Sequence, residues 1–209
     1  MRALAKAVEP DVLVRLGPAW TAKYISDVAG GAKHSSPWSH KDIRDALTGE
    51  TSGRCAYCDG PILAITFGDI EHIIPRAVDP SLVVAWANLT LACQKCNSAK
   101  SDKYDVELPF INPYVDQPAD HLVFFGPIVR GSSHRGDHTV EELDLNSLPK
   151  MEARQNQVDA VEALVRIWST APDQTKAKWA KEVWTLASDG PYSATSLAYL
   201  KIRDFPKPE

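Results

Sequence analysis

Apolar residues recur near every fourth position in the stretch from residue 11 to 29, at Val12, Leu16, Trp20, Tyr24 and Val28. This predicts an amphipathic helix that Gly30-Gly31 ends. After a polar, Ser-rich loop, residues 39–48 predict a shorter helix, begun by Ser39 and stopped by Gly49. The pattern then changes. Leu63 to Phe67 and Ile70 to Ile74 predict two strands joined by a turn at Gly68-Asp69. A long loop containing Asp79-Pro80 follows, leading through Trp86 to Asn88, and a helix is expected to begin near Cys96-Asn97 and to run a few turns past Lys100.

Residues 106–149 are rich in Pro and Gly, with strand-like pieces at Leu122 to Phe125 and Ile128 to Arg130. The helical period returns in the carboxyl third. Val158, Val161, Leu164, Val165 and Trp168 share one helix face that stops before Pro172. A second helix from about Asp173 carries Trp179, Val183 and Trp184 and ends before Gly190-Pro191, and residues 193–202 predict a last short one. The class is α+β. Four regions are expected: an amino-terminal helical collar (1–50), a core (51–106), a loop-and-hairpin connector (107–149) and a carboxyl-terminal helical region (150–209).

Composition changes this picture in two respects. Among 209 residues, apolar content of 44% and charged content of 24% describe an ordinary globular chain with one sizeable core, or one core with a small zinc-stapled module attached. Lys6 and Glu9 interrupt the apolar residues of the amino end, and no run is long enough to span a bilayer, so neither a signal peptide nor a membrane span is expected and the location is cytoplasmic. The net charge of −4 does not suit a free-standing nucleic-acid binder. Either a local basic face binds the polyanion, with Lys95, Lys100 and Lys103 as one such patch, or a partner brings it.

The candidate chemistry lies between Cys55 and Lys100. Cys55-Ala-Tyr-Cys58 and Cys93-Gln-Lys-Cys96 are two C-x-x-C pairs with 34 residues between them, a spacing that can place four thiolates around one structural zinc ion. The interval exceeds the about 15–20 residues of an ordinary zinc ribbon. It holds Asp69-Ile-Glu71-His72-Ile-Ile-Pro75 and Asn88, and Asn97-Ser-Ala-Lys100 follows the last cysteine.

These residues resemble the HNH endonuclease family, whose ββα-metal fold presents a catalytic His from a strand end and metal ligands from that strand and the following helix. The acidic residue, His, Pro, Asn and final His or Asn of that pattern fall on Glu71, His72, Pro75, Asn88 and Asn97. The likeness extends outward through Arg2, Pro10, Trp38, Leu47, Asn112-Pro113, Gly126, Thr139, Leu145-Asn146 and Arg154 to a narrower HNH subfamily. That subfamily includes the nuclease subunit of Septu-type bacterial anti-phage systems and their retron-associated relatives, which acts with an SMC/ABC-type ATPase.

The resemblance implies roles for these side chains. His72 is the expected general base, since a neutral imidazole accepts a proton at physiological pH. Glu71 and Asn97 offer hard oxygen ligands for a catalytic Mg²⁺ or Mn²⁺; as an Asn at a helix start, Asn97 could instead be an N-cap. Asp69 is either a further metal-site group or a turn residue. Asn88 is expected to orient the loop that fixes His72, or else is a generic loop Asn. Arg76 and Lys100 are candidates for phosphate contact, with solvated surface charge as the alternative. His34, His40, His121, His134 and His138 read as surface residues, with a second site at His134 and His138 as the alternative.

Three functions compete on these grounds. The first is a metal-dependent endonuclease acting on DNA, in anti-phage defence with an ATPase partner. The second is a zinc-stapled interaction subunit without activity, and the third a nuclease acting on RNA. The zinc deaminases are disfavoured, because their H-x-E and P-C-x-x-C pattern is absent: here Glu71 precedes His72 and Ala92 precedes Cys93.

Overall fold

A computed structural model describes residues 1–62 and 66–208. Helix α1 covers Asp11–Ala29 and α2 Lys41–Thr51; strand β1 covers Asp69–His72 and β2 Leu89–Ala92; helix α3 is Gln94–Lys100. There follow β3 (Leu122–Phe125), β4 (Ile128–Gly131), α4 (His134–Glu142), α5 (Leu148–Thr170), α6 (Asp173–Asp189) and α7 (Ser193–Ile202). Among the described residues no helix is long and apolar enough to cross a membrane.

The strand–strand–helix unit is present, but its hairpin is wound differently from the expected one. β1 pairs antiparallel with β2, in the register Asp69 to Ala92 and His72 to Leu89. The partner strand therefore comes after the long loop and not before it. Of the stretch expected to pair, Leu63, Ala64 and Ile65 lie outside the described residues. Asp69 stands in the strand rather than in the turn, and Gly68 takes the left-handed conformation just ahead of it, with φ of 68°. β2 is buried along its whole length, which explains why Leu89 and Leu91 do not alternate with exposed residues. A two-residue apolar alternation is a poor guide to a strand covered on both faces.

Helix α3 also departs from expectation. It begins at Gln94 with Cys93 as its cap, and it ends at Lys100, after which Ser101 has a φ of 50°. Asn97 is thus inside the helix, its N–H bonded to the Cys93 carbonyl at 2.9 Å, and it is not an N-cap. In α2 the start is His40, whose side chain accepts from the Asp42 N–H; the helix passes through Gly49 and stops where Ser52 turns left-handed. The buried face of α1 is Val12, Leu13, Gly17 and Tyr24, while Leu16 and Val28 are exposed. A strict spacing of four drifts around a helix of 3.6 residues per turn.

Two hydrophobic cores result. The first joins α1, α2, the β1–β2 hairpin, the cysteine segments and the β3–β4 region, with Ile43, Leu47, Leu89, Leu91, Ile111 and Leu143 at its centre. The second lies between α5, α6 and α7, around Val161, Val183, Ala187 and Leu200, with Trp168 and Trp184 partly buried against it. Asp59 links the two regions: its carboxylate accepts from the Ser193 N–H at 2.8 Å and from Arg2 at 3.0 Å.

Candidate metal centre and catalytic cleft

The Cys55 to Cys58 segment forms a tight knuckle. The Cys55 N–H donates to the Gly60 carbonyl and the Asp59 N–H to the Cys55 carbonyl, each at 2.9 Å, while the Ala56 N–H docks the knuckle onto the Leu91 carbonyl of β2. Gly60 has no room for a side chain, since a Cβ would stand 2.7 Å from the Tyr192 hydroxyl and 3.3 Å from the Cys58 sulfur. The other pair brackets the start of α3. All four sulfurs lie within 4.8 Å of one another, and Cys58 Sγ is 3.9 Å from Cys93 Sγ. Tetrahedral zinc with Zn–S bonds of about 2.3 Å requires sulfur pairs about 3.8 Å apart, so the donor set fits a structural zinc ion with no open position. Among the described residues this is the one group of three or more Cys, His, Asp and Glu side chains close enough to share an ion.

Beside it opens a polar cleft of about 590 Å³, bounded by β1, α3 and the collar, whose walls include Asp69, Glu71, His72, Asn97, Trp38, Arg44 and Arg76. His72 is 7% exposed. Its Nε2 is 2.8 Å from the Val83 carbonyl oxygen. A carbonyl only accepts, so Nε2 carries the hydrogen and Nδ1 keeps the lone pair. The ring is edge-on to Trp38, with centroids 5.1 Å apart at 80°. Burial, helped by the positive charges of Arg76 and Lys100 and opposed by the Val83 bond, lowers the pKa of His72 to about 4. The imidazole is neutral at pH 7 and equipped to accept a proton.

Asn88 pins the loop that supplies Val83. Its Oδ1 accepts from the Ile74 N–H at 2.8 Å, and its Nδ2 donates to the Ile74 carbonyl at 3.0 Å and to the Leu82 carbonyl at 3.2 Å. It is buried and does not face the cleft wall.

Asp69 and Glu71 share one face of β1. Asp69 Oδ2 accepts from Asn97 Nδ2 at 2.9 Å, which sets the amide so that its oxygen is the atom left for another partner. The carboxylates and that amide oxygen are hard donors lining one cleft, and the set fits Mg²⁺ or Mn²⁺. Glu71 is already engaged on one side. Lys100 Nζ is 2.6 Å from its Oε1, and the Tyr57 hydroxyl is 3.4 Å from the same atom. Burial pushes the Glu71 pKa up, and Lys100 opposes that rise.

The two cations expected at phosphate are placed differently. Arg76 is exposed at the cleft, its guanidinium 4.6 Å above the Trp38 ring. Lys100 is 1% exposed and is turned inward to Glu71 and to the His72 carbonyl, so it cannot meet a phosphate in this conformation. A lysine beside a metal motif reads as surface charge until the buried carboxylate it faces is known. Arg44, not singled out from the sequence, lines the cleft and donates to the carbonyls of Phe67 and Gly68, each at 2.9 Å. Trp38, Tyr57 and the Val83 carbonyl likewise gained their roles only through folding. His138 stacks on Phe110 at 5.1 Å, and His121 bonds the Ser133 hydroxyl.

Residues 55–103 match the family model of the HNH endonucleases. The chain is similar to the Septu protein PtuB of Bacillus thuringiensis, with 32% identity over 139 residues that cover 64% of this chain and 54% of that protein. It is also similar to the Septu protein PtuB of Bacillus mycoides (strain KBAB4), with 24% identity covering 42% of this chain and 40% of that protein. The chain thus spans about half the length of the curated relatives it matches.

Proposed function

With residues 55–103 forming an HNH endonuclease domain, we propose that the chain is a metal-dependent endonuclease that hydrolyses phosphodiester bonds of DNA. The observation that carries this is the state of His72: a neutral imidazole with its lone pair on Nδ1, beside two carboxylates and an amide oxygen in one cleft.

His72 Nδ1 takes a proton from the attacking water. The water oxygen bonds to phosphorus as the P–O3′ bond breaks, leaving a 5′-phosphate and a 3′-hydroxyl whose proton comes from solvent. Asp69, Glu71 and Asn97 would hold the cation, which would neutralise charge on the phosphate and on the departing oxygen. Arg76 and Arg44 bind flanking phosphates. The Val83 carbonyl and Asn88 keep the His72 ring in one orientation and one tautomer throughout.

The likeness to Septu PtuB proteins, together with a net charge of −4 that disfavours unaided DNA binding, supports a cytoplasmic role in anti-phage defence alongside an SMC/ABC-type ATPase partner. The test is to incubate the zinc-loaded protein with supercoiled plasmid and with structured RNA, in Mg²⁺ and in Mn²⁺, with and without the co-expressed ATPase. Plasmid nicking that needs the cation supports the reading, and end-labelling should find 5′-phosphate. Cleavage confined to RNA would replace DNA as substrate, and no cleavage in any arm would favour the non-catalytic interaction subunit.

A further inference from the structure

Hydrolysis by His72 and a cation leaves Lys100 unexplained. Its ammonium is shut away from solvent at the end of α3, and it reaches back to β1 to make two bonds, 2.6 Å to Glu71 Oε1 and 2.8 Å to the His72 carbonyl oxygen. One cation therefore holds the side chain of one cleft residue and the backbone of the next. A buried charge is stable only when paired and hydrogen-bonded, so these two contacts hold Lys100 in place and Lys100 holds them.

The second group on Glu71 Oε1 comes from the same quarter. Tyr57 lies between Cys55 and Cys58, and its hydroxyl is 3.4 Å from that oxygen. Cys96 lies one turn before Lys100 on α3. Both donors to Glu71 thus start from the cysteine centre: one from its first knuckle, the other from the helix its second pair begins.

We propose that Lys100 is a positioning residue, not a phosphate contact: it fixes the Glu71 carboxylate for cation binding and the His72 backbone beside it, and with Tyr57 it ties their geometry to the cysteine centre. This rests on the reading of Glu71 as a cation ligand. A carboxylate held at one oxygen by a buried donor presents its other oxygen in a single orientation, and losing such a support typically costs 10–100-fold in metal affinity.

The experiment measures Mn²⁺ binding by the EPR signal of the free ion, on the zinc-loaded wild type, Lys100→Met and Tyr57→Phe, with zinc content read by a chromogenic chelator. Lys100→Met should keep one zinc per chain and bind Mn²⁺ about 10–100-fold more weakly, with a smaller loss for Tyr57→Phe. A zinc-loaded Lys100→Met protein with wild-type Mn²⁺ affinity overturns the proposal. Wild type that binds no Mn²⁺ would instead strike at Glu71 as a ligand, a distinct failure. Should Lys100→Met not fold, the unmodified protein decides: on Mg²⁺ titration the Lys100 ¹⁵Nζ and Glu71 ¹³Cδ resonances should shift together, and a shift of Glu71 with Lys100 unmoved overturns it.

Discussion

The imidazole Nε2 of His72 lies 2.8 Å from the carbonyl oxygen of Val83, which is 11 residues further along the chain. A backbone carbonyl at that place does for this ring what a carboxylate does in other hydrolytic sites: it chooses the tautomer and aims the free nitrogen. It does so without adding a charge, and although the bond itself favours the protonated ring, burial outweighs it and keeps the ring neutral.

That neutrality has a pH signature. The folded-state pKa of His72 is about 4, below the ordinary 6.5, so between these values the unfolded chain binds more protons than the folded one. The contribution of His72 to stability is therefore complete above pH 6.5 and is lost as pH falls toward 4. In the proposed role of general base the ring would stay competent through the same window, and cleavage should lose its His72-dependent component only as pH falls through about 4. NMR titration of the His72 ring carbons measures this directly; a midpoint near 6.5 would contradict the burial argument.

Asn88 should matter through the loop and not through the substrate. Asn88→Ala leaves the half-buried Ile74 N–H without its acceptor and removes two further bonds, at a cost of about 1 kcal/mol for the stranded donor. Urea unfolding should show that loss. Cleavage should slow as well, because Leu82 and Val83 move together.

Arg76 and Arg44 predict a salt dependence. Neither is in an ion pair among the described residues, and both line the cleft. Replacing either with Ala should weaken binding of a duplex oligonucleotide and lower the slope of log K against log salt by about 1, with sequence preference unchanged. Arg76→Ala, at an exposed site, should leave thermal stability within about 0.5 kcal/mol of wild type. Fluorescence anisotropy across a salt series reads the slope, and an unaltered slope would remove that arginine from the phosphate path.

Zinc removal should act on one core and spare the other. The sulfurs anchor the knuckle, β2 and α3, whereas α5, α6 and α7 pack around their own apolar cluster. Binding of a structural zinc is worth about 10–16 kcal/mol in small zinc modules, so a chelator should abolish cleavage and much of the near-ultraviolet circular dichroism. Most of the far-ultraviolet helix signal, carried by the long carboxyl-terminal helices, should persist.

The cysteine pairs, the Glu71-His72 pair, Asn88 and Asn97 were legible in the sequence because their spacing is short and their chemistry specific. So was the helical carboxyl third, where Val158, Val161 and Val165 keep one face. Helix ends shifted by a few residues, as at Asn97 and Gly49, and the larger departures depended on long-range pairing. The partner of β1 is a fully buried strand beyond a long loop, and no local alternation marks it. The inward turn of Lys100 depends on a carboxylate 29 positions earlier in the chain, and Arg44 reaches the cleft only because α2 packs against β2. Local pattern carries the identity of the chemistry; the tertiary fold decides which charges face the substrate and which face one another.

The central claim is that His72 is the base, and single-turnover cleavage of supercoiled plasmid by wild type and His72→Ala tests it most directly. With both proteins zinc-loaded, folded and bound to Mn²⁺ with matching affinity, the variant should cleave at least about 100-fold more slowly, the lower end of the contribution of a positioned general base. A His72→Ala protein that cleaves at the wild-type rate would contradict the account.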